Sequence, residues 1–314
     1  IGMLQSLSMK DYPSSIFSEN FGLTIVDECH HIAAEVFSRA LFKIVTKHML
    51  GLSATMTRKD GLTKVFKMFI GPIFHSEKQQ KQDSVLVRKL IFDSSDHEFN
   101  RTVLNYKGQV HYAIMIKKIC EYSFRTEFIL QVLKSILEEN PKQQIMILAH
   151  NKSILKYIFD DIESRDIAPV GYYIGGMKEK DLKISETKTV IIATYAMAEE
   201  ALDIKSLTTL ILATPKTDVT QAVGRILRIK HEQPLVIDIV DMHEIFQKQW
   251  SKRQKYYIKQ KYKIVSIMNT NYVSGEYQTL YAPPTCDSKE IINKDENEPS
   301  KLLDAGRCLI KIKT

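Results

Sequence analysis

No glycine in this sequence is followed by lysine, although there are twelve glycines. A Gly-Lys-Ser/Thr loop, whose backbone amides and lysine cradle a nucleotide's phosphates, is therefore excluded from these 314 residues. Cysteine is scarce, and Cys29, Cys120, Cys286 and Cys308 stand too far apart for a zinc-ligand pattern. That scatter argues against a disulfide framework and suits reduced thiols in an intracellular protein. No apolar run approaches the roughly eighteen residues of a membrane-crossing helix, and no signal-peptide pattern is read. Acids are the minority charge, 37 Asp and Glu against 44 Lys and Arg, a net of +7. That excess points weakly to nucleic acid or another polyanion.

What is present is ordinary globular material. Hydrophobic residues make up 44% and charged residues 26%, enough for a sizeable core in one large domain or two smaller ones. Continuous apolar runs, "LTIVD", "HMLGLSAT", "QIMILAH", "VGYYIGG", "TVIIATY", "LTTLILATP" and "PLVIDIVD", read as strands covered on both faces. They alternate with helical stretches over 33–45, 126–139, 152–164 and 219–229. The alternation predicts an α/β fold with parallel sheets and functional residues at the strands' carboxyl ends. The lysine-rich "SEKQQKQDS" reads as a linker. Residues 1–80 are expected to form the later part of a first sheet domain with too few strands to be complete. Residues 81–125 are expected to be a linker and irregular region, and 126–246 a second sheet domain, with an alternative start at the strand near 85. A basic helix and polar tail are expected over 247–314. Residues 246–314 carry thirteen Lys and Arg against seven Asp and Glu, so most of the excess charge lies there.

Four segments carry chemistry. Asp27 and Glu28 close an apolar strand, where the first acid can hold Mg²⁺ through water and the second can activate an attacking water. The plainer alternative is a capped helix start. The adjacent His30 and His31 point different ways, and no second ligand cluster accompanies them, so zinc is not expected there. "LGLSAT" offers Ser53 and Thr55, either as bonding partners of the acid pair or as ordinary helix caps. "ATYAMAEEALDI" offers Thr194 to a nucleic-acid phosphate and Asp203 to a ribose. "QAVGRILR" puts Arg225 and Arg228 on one helical face, where two guanidiniums can clamp a γ-phosphate, with Gly224 permitting close backbone approach. A solvated basic face is the alternative. In "KQWSKRQKYYIKQKYK", Trp250, Tyr256, Tyr257 and Tyr262 interleave with cations. The aromatics suit either base stacking or packing on the second domain, and the cations suit phosphate contact.

Taken together, "DECH", "SAT", "ATYAMAEEALD" and "QAVGRILR" resemble motifs II, III, V and VI of the superfamily 2 helicases, in that order and at similar spacing. "ILAHN" sits where motif IV would lie, and "IGMLQSLS" resembles motif Ib. "DECHH", "RKDGLTKVFKMFIGP" and "VIDIVDMHEIFQKQWSKRQKYY" look like helicases of large DNA viruses, including the poxvirus transcript-release type, and like relatives of the XPB and phage UvsW type. The resemblance covers about residues 1–265. It implies two RecA-like domains with ATP between them and Mg²⁺ at Asp27. Glu28 would activate water, and Gln221, Arg225 and Arg228 would reach ATP. His30, Ser53, Ala54 and Thr55 would couple the domains, and Asp203 and Gly224 would meet the bound nucleotide. Ser6, His150, Asn151, Thr194, Lys252, Arg253 and Lys255 would contact nucleic acid, DNA in preference to RNA, in a monomer linked to transcription. If viral, it would act in the host cytoplasm, a viral factory or the virion. Two departures stand out. Ala201 replaces motif V's usual glycine, and motif I is absent. The expectation is that motif I precedes Ile1 in a longer protein, and that these residues alone do not turn over ATP.

Overall fold

A computed structural model describes residues 1–13, 15–29, 35–53, 63–76, 85–200, 204–227 and 233–284. The chain divides into two compact units, Ile1–Gln80 and Lys81–Thr314.

The first unit contains helices α1 (Leu4–Met9) and α2 (Ser15–Asn20), strand β1 (Leu23–Val26), α3 (Glu35–Lys43), β2 (His48–Gly51) and α4 (Thr63–Ile70). β1 and β2 pair in parallel, Leu23 opposite His48 and Val26 opposite Gly51. A small core gathers Cys29 and Leu41 with Leu4, Val26, Met49, Phe69 and Ile70. Gly51 is required by this packing: a Cβ there would sit 2.9 Å from Ile70 Cδ1 and 3.0 Å from Cys29 Sγ. One sheet face stays open, with Leu23 50% and Ile25 57% exposed.

The second unit runs β3 (Leu86–Phe92), α5 (His97–Asn100), α6 (Tyr112–Glu121), α7 (Ser123–Glu139), β4 (Gln144–Ala149), α8 (Lys152–Ser164), β5 (Val170–Tyr173), α9 (Glu179–Glu186), β6 (Val190–Thr194) and α10 (Tyr195–Glu200). It continues with β7 (Leu207–Leu212), α11 (Thr220–Arg225), β8 (Leu235–Asp241), α12 (Glu244–Lys259), β9 (Lys263–Met268) and β10 (Gln278–Tyr281). The strands form one sheet in the order β10-β9-β3-β8-β7-β4-β6-β5, parallel except for the antiparallel β10. Every residue of β4 and β8 is buried, as a strand covered on both faces requires. Met115, Ile119, Leu133 and Ile158 from α6, α7 and α8 pack one face. Ala198, Val223, Trp250 and Tyr257 from α10, α11 and α12 pack the other.

Two expectations need correction. Residues 85–92 do not belong to a linker region: β3 lies inside the sheet between β8 and β9. The basic helix expected at the start of the tail is present as α12, but the segment after it is a strand of the sheet. α12 buries Phe246, Trp250 and Tyr257, and β9 pairs with β3 in register from Leu86–Lys263 to Ile91–Met268. Residues 285–314 lie outside the described residues.

Candidate functional site

In the first unit, the acid pair follows β1 directly. The Leu52 N–H donates to Val26 O and the Leu52 carbonyl accepts from Cys29 N, both at 2.9 Å. One residue of the "LGLSAT" segment thus brackets Asp27 and Glu28, and half-buried Ser53 follows it. Both acids are exposed. Asp27 Oδ1 accepts the Glu28 N–H at 2.9 Å. Glu28 sits at φ 45°, the left-handed region that a non-glycine residue seldom adopts and that recurs at functional turns. Burial raises the pKa of the Cys29 thiol, so Cys29 is a packing residue rather than a nucleophile. A hydrated Mg²⁺ ion needs only one or two carboxylates from the protein, and the exposed Asp27 at a strand's carboxyl end fits that demand. Among the described residues no group of three His, Cys, Asp or Glu side chains could form a closed metal cage. Ser6 lies half-buried in α1, with its carbonyl accepting from Lys10 N. His30, Ala54 and Thr55 lie outside the described residues.

In the second unit, the candidates gather at one edge of the sheet. His150 and Asn151 follow β4, Thr194 ends β6, and α11 with Gln221, Gly224 and Arg225 follows β7. Asn151, Thr194, Gln221 and Arg225 are half-buried. Arg225 Nε donates to Ala198 O at 2.9 Å, tying α11 to α10. A Cβ built at Gly224 meets no atom of the described residues within 4 Å. The described α11 ends at Arg225, shorter than the expected helix over 219–229. Arg228 and Asp203 lie outside the described residues.

His150 is held by Thr214. Its backbone N–H donates to Thr214 Oγ1 at 3.0 Å, and its Nδ1 lies 2.9 Å from the same oxygen. One hydroxyl thus holds both the backbone and the ring of His150. Desolvation of the ring, which packs 4.9 Å from Tyr195, lowers its pKa to about 4, with the nearby Lys216 charge adding to the effect. Folding therefore favours the neutral ring, and the stability tied to this group is lost as pH falls from about 6.5 through about 4. An NMR titration is expected to show the His150 ring protonating near pH 4. A midpoint near the ordinary histidine value would contradict this geometry.

α12 splits into two faces. Lys252 and Lys255 are exposed and available to phosphates. Arg253 is 1% exposed, and its guanidinium forms a bidentate pair with Asp238, Nε to Oδ2 at 2.7 Å and Nη2 to Oδ1 at 2.8 Å. It is a core residue, and its assignment to nucleic acid is withdrawn. The sequence held the signal: Phe246, Trp250, Arg253 and Tyr257 recur at helical spacing on one face, and the apolar "VIDIVD" buries a carboxylate that needs a partner.

Comparison with known proteins follows the same lines. The family described as "Type III restriction enzyme, res subunit" matches residues 1–58. The chain is 36% identical over 303 residues to "Putative ATP-dependent RNA helicase L396" of Acanthamoeba polyphaga mimivirus, covering 94% of this chain and 56% of that protein. It is 27% identical over 260 residues to "Putative helicase 161L" of Invertebrate iridescent virus 6, covering 77% of this chain and 56% of that one. The chain thus spans about half the length of these curated relatives. In fold it is similar to S. cerevisiae Dbp5 bound to RNA and ADP BeF3, with a TM-score of 0.53 at 13% identity over 81% of this chain and 61% of that one. No helix among the described residues is long and apolar enough to cross a membrane.

Proposed function

We propose that the chain, which is similar to helicases of large DNA viruses, is part of an ATP-driven motor that moves along nucleic acid and separates its strands. One observation carries this reading. His150, Asn151, Thr194 and α11 all stand at the carboxyl edge of a single parallel sheet, where open α/β sheets bind ligands. In the proposal Asp27 holds Mg²⁺ through water, and the ion, when bound, neutralises phosphate charge. Glu28 takes a proton from the attacking water. Gln221, Arg225 and Arg228 meet the phosphates, and Ser53, Thr55 and their neighbours sense the acid pair. Thr194, Asn151 and the neutral His150 ring bond the nucleic-acid backbone or bases, and Lys252 and Lys255 neutralise phosphates. Our first choice of substrate is DNA, and a link to transcription belongs to the same proposal. The mimivirus relative's name says RNA.

The test is strand displacement on tailed DNA and RNA duplexes, measured beside ATP hydrolysis, in the full-length protein. ATP-dependent displacement is expected, faster on DNA. Stimulated hydrolysis without displacement would mark a translocase that leaves duplexes intact. Hydrolysis indifferent to any nucleic acid would overturn the motor reading. The 314 residues alone, which hold no Gly-Lys-Ser/Thr, are expected to bind an oligonucleotide without turning over ATP.

A further inference from the structure

The loop between β7 and α11 runs over residues 213–219, and each of residues 213–217 is held by a side chain from elsewhere in the unit. Ala213 O accepts from Arg125 Nη1 of α7 at 2.8 Å. Thr214 O accepts from the Tyr195 hydroxyl of α10 at 2.6 Å. Pro215 O accepts from the Tyr112 hydroxyl of α6 at 3.3 Å, and Lys216 O from Arg253 Nη1 of α12. Thr217 Oγ1 accepts from Gln249 Nε2 of α12 at 3.2 Å. Loops ordinarily leave their carbonyls to water. Here four successive carbonyls are claimed by side chains from four helices, and the two arginines are themselves locked by Asp241 and Asp238.

Thr214 has a further part. It is fully buried, and its hydroxyl bonds both the backbone N–H and the ring of His150. The ends of β4 and β6 therefore meet at one residue: His150 through the Thr214 hydroxyl, and Tyr195, next to Thr194, through the Thr214 carbonyl. α10 is bonded again at its other end, where Ala198 O accepts from Arg225. Two hydrogen bonds, Tyr195 to Thr214 and Arg225 to Ala198, together with the backbone of 215–219, thus close a circuit through α10 and α11 that joins the candidate nucleic-acid contacts to the candidate phosphate contact.

We propose that Thr214 and Tyr195 are positioning residues that transmit occupancy at His150, Asn151 and Thr194 to the α11 helix carrying Gln221 and Arg225. The inference rests on the nucleic-acid-binding reading above. Small shifts at a strand end pass to α11 because the intervening loop has no slack, not because either residue touches a ligand.

The experiment is hydrogen–deuterium exchange on the 314-residue chain, with and without a saturating single-stranded oligonucleotide, and with affinity measured by fluorescence anisotropy. In the unmodified protein, oligonucleotide is expected to slow exchange in α11 about five- to tenfold, the scale of a modest coupling between sites. Thr214→Val removes only the hydroxyl, and Tyr195→Phe removes only the bond to the Thr214 carbonyl. Tyr195→Phe is expected to bind oligonucleotide within about twofold of the unmodified affinity, Thr214→Val is compared at saturating oligonucleotide because it also frees the His150 ring, and in both the slowing at α11 falls below about twofold. The phenylalanine variant serves if the valine variant does not fold. A merely structural role would raise α11 exchange in both states and leave the slowing intact, and that result overturns the inference. So does oligonucleotide binding to the unmodified protein that leaves α11 untouched. Failure of the unmodified protein to bind any oligonucleotide instead overturns the reading on which the inference rests.

Discussion

Arg253→Ala is expected to lower the stability of the second unit by about 3–5 kcal/mol, because it strands a buried carboxylate. Asp238 is fully buried on β8, and its oxygens accept from Arg253 Nε and Nη2 and, at 3.0 Å, from the Tyr257 hydroxyl. The same guanidinium also holds the Lys216 carbonyl, so truncation releases the loop before α11 as well. Removing one partner costs far more than the pair contributes, since the other charge then stays in the core without compensation. Denaturant unfolding followed by tryptophan fluorescence reads the change, because the single Trp250 lies beside the pair, its ring 5.8 Å from the Arg253 guanidinium. The exposed neighbours make the contrast. Lys252→Ala with Lys255→Ala should leave the unfolding free energy within about 0.5 kcal/mol of the unmodified value. If both lysines contact single-stranded phosphates, the slope of log affinity against log salt should fall by about 1.4. Unfolding unchanged by Arg253→Ala, with a loss of nucleic-acid affinity instead, would return that arginine to the surface.

This outcome illustrates what a single sequence carries. All seven apolar runs became strands, and in the second unit this is because a parallel sheet buries both faces, a demand written locally as unbroken Val, Ile and Leu. The acid pair at the end of "LTIV" and the arginine helix after "LTTLIL" followed from the same rule about strand ends. β3 and β9 were harder to place because their partners are distant. β3 pairs with strands about 150 and 175 residues later, which no local pattern announces. β9, "KIVSIM", is also interrupted by Ser266, which the sheet accepts without an apolar side chain. Arg253 was misassigned because charge was read along the chain when its meaning depended on the face. Lysines at 252 and 255 and an arginine at 253 look alike in a row, yet the helix turns one inward and two outward. The neutral His150 could not be foreseen either, since its state depends on burial of the ring in the folded unit, with the Lys216 charge adding to the effect.

In the full-length protein, Glu28→Gln and Arg225→Ala are expected to reduce ATP turnover most. Glutamine preserves the size of Glu28 and its unusual φ of 45°, but it cannot take the proton of an attacking water. Hydrolysis is therefore expected to fall to background while ATP binding persists, measured by a fluorescent nucleotide titration beside phosphate release. For Arg225, the loss expected of a guanidinium that meets transition-state charge is about 10³–10⁵ in turnover. Its bond to Ala198 O complicates the interpretation, because alanine also cuts the tie between α11 and α10. Arg225→Lys separates the two effects. Lysine keeps the positive charge but cannot reproduce a fork of planar donors, so a true phosphate clamp stays impaired after this change. Near-normal turnover in the lysine variant would mean that charge alone suffices and the fork does not matter. Oligonucleotide affinity should change little in all three variants, since none of them removes a group assigned to the strand. Unimpaired turnover in both Glu28→Gln and Arg225→Ala would remove the assignment of "DECH" and "QAVGRILR" to phosphate chemistry.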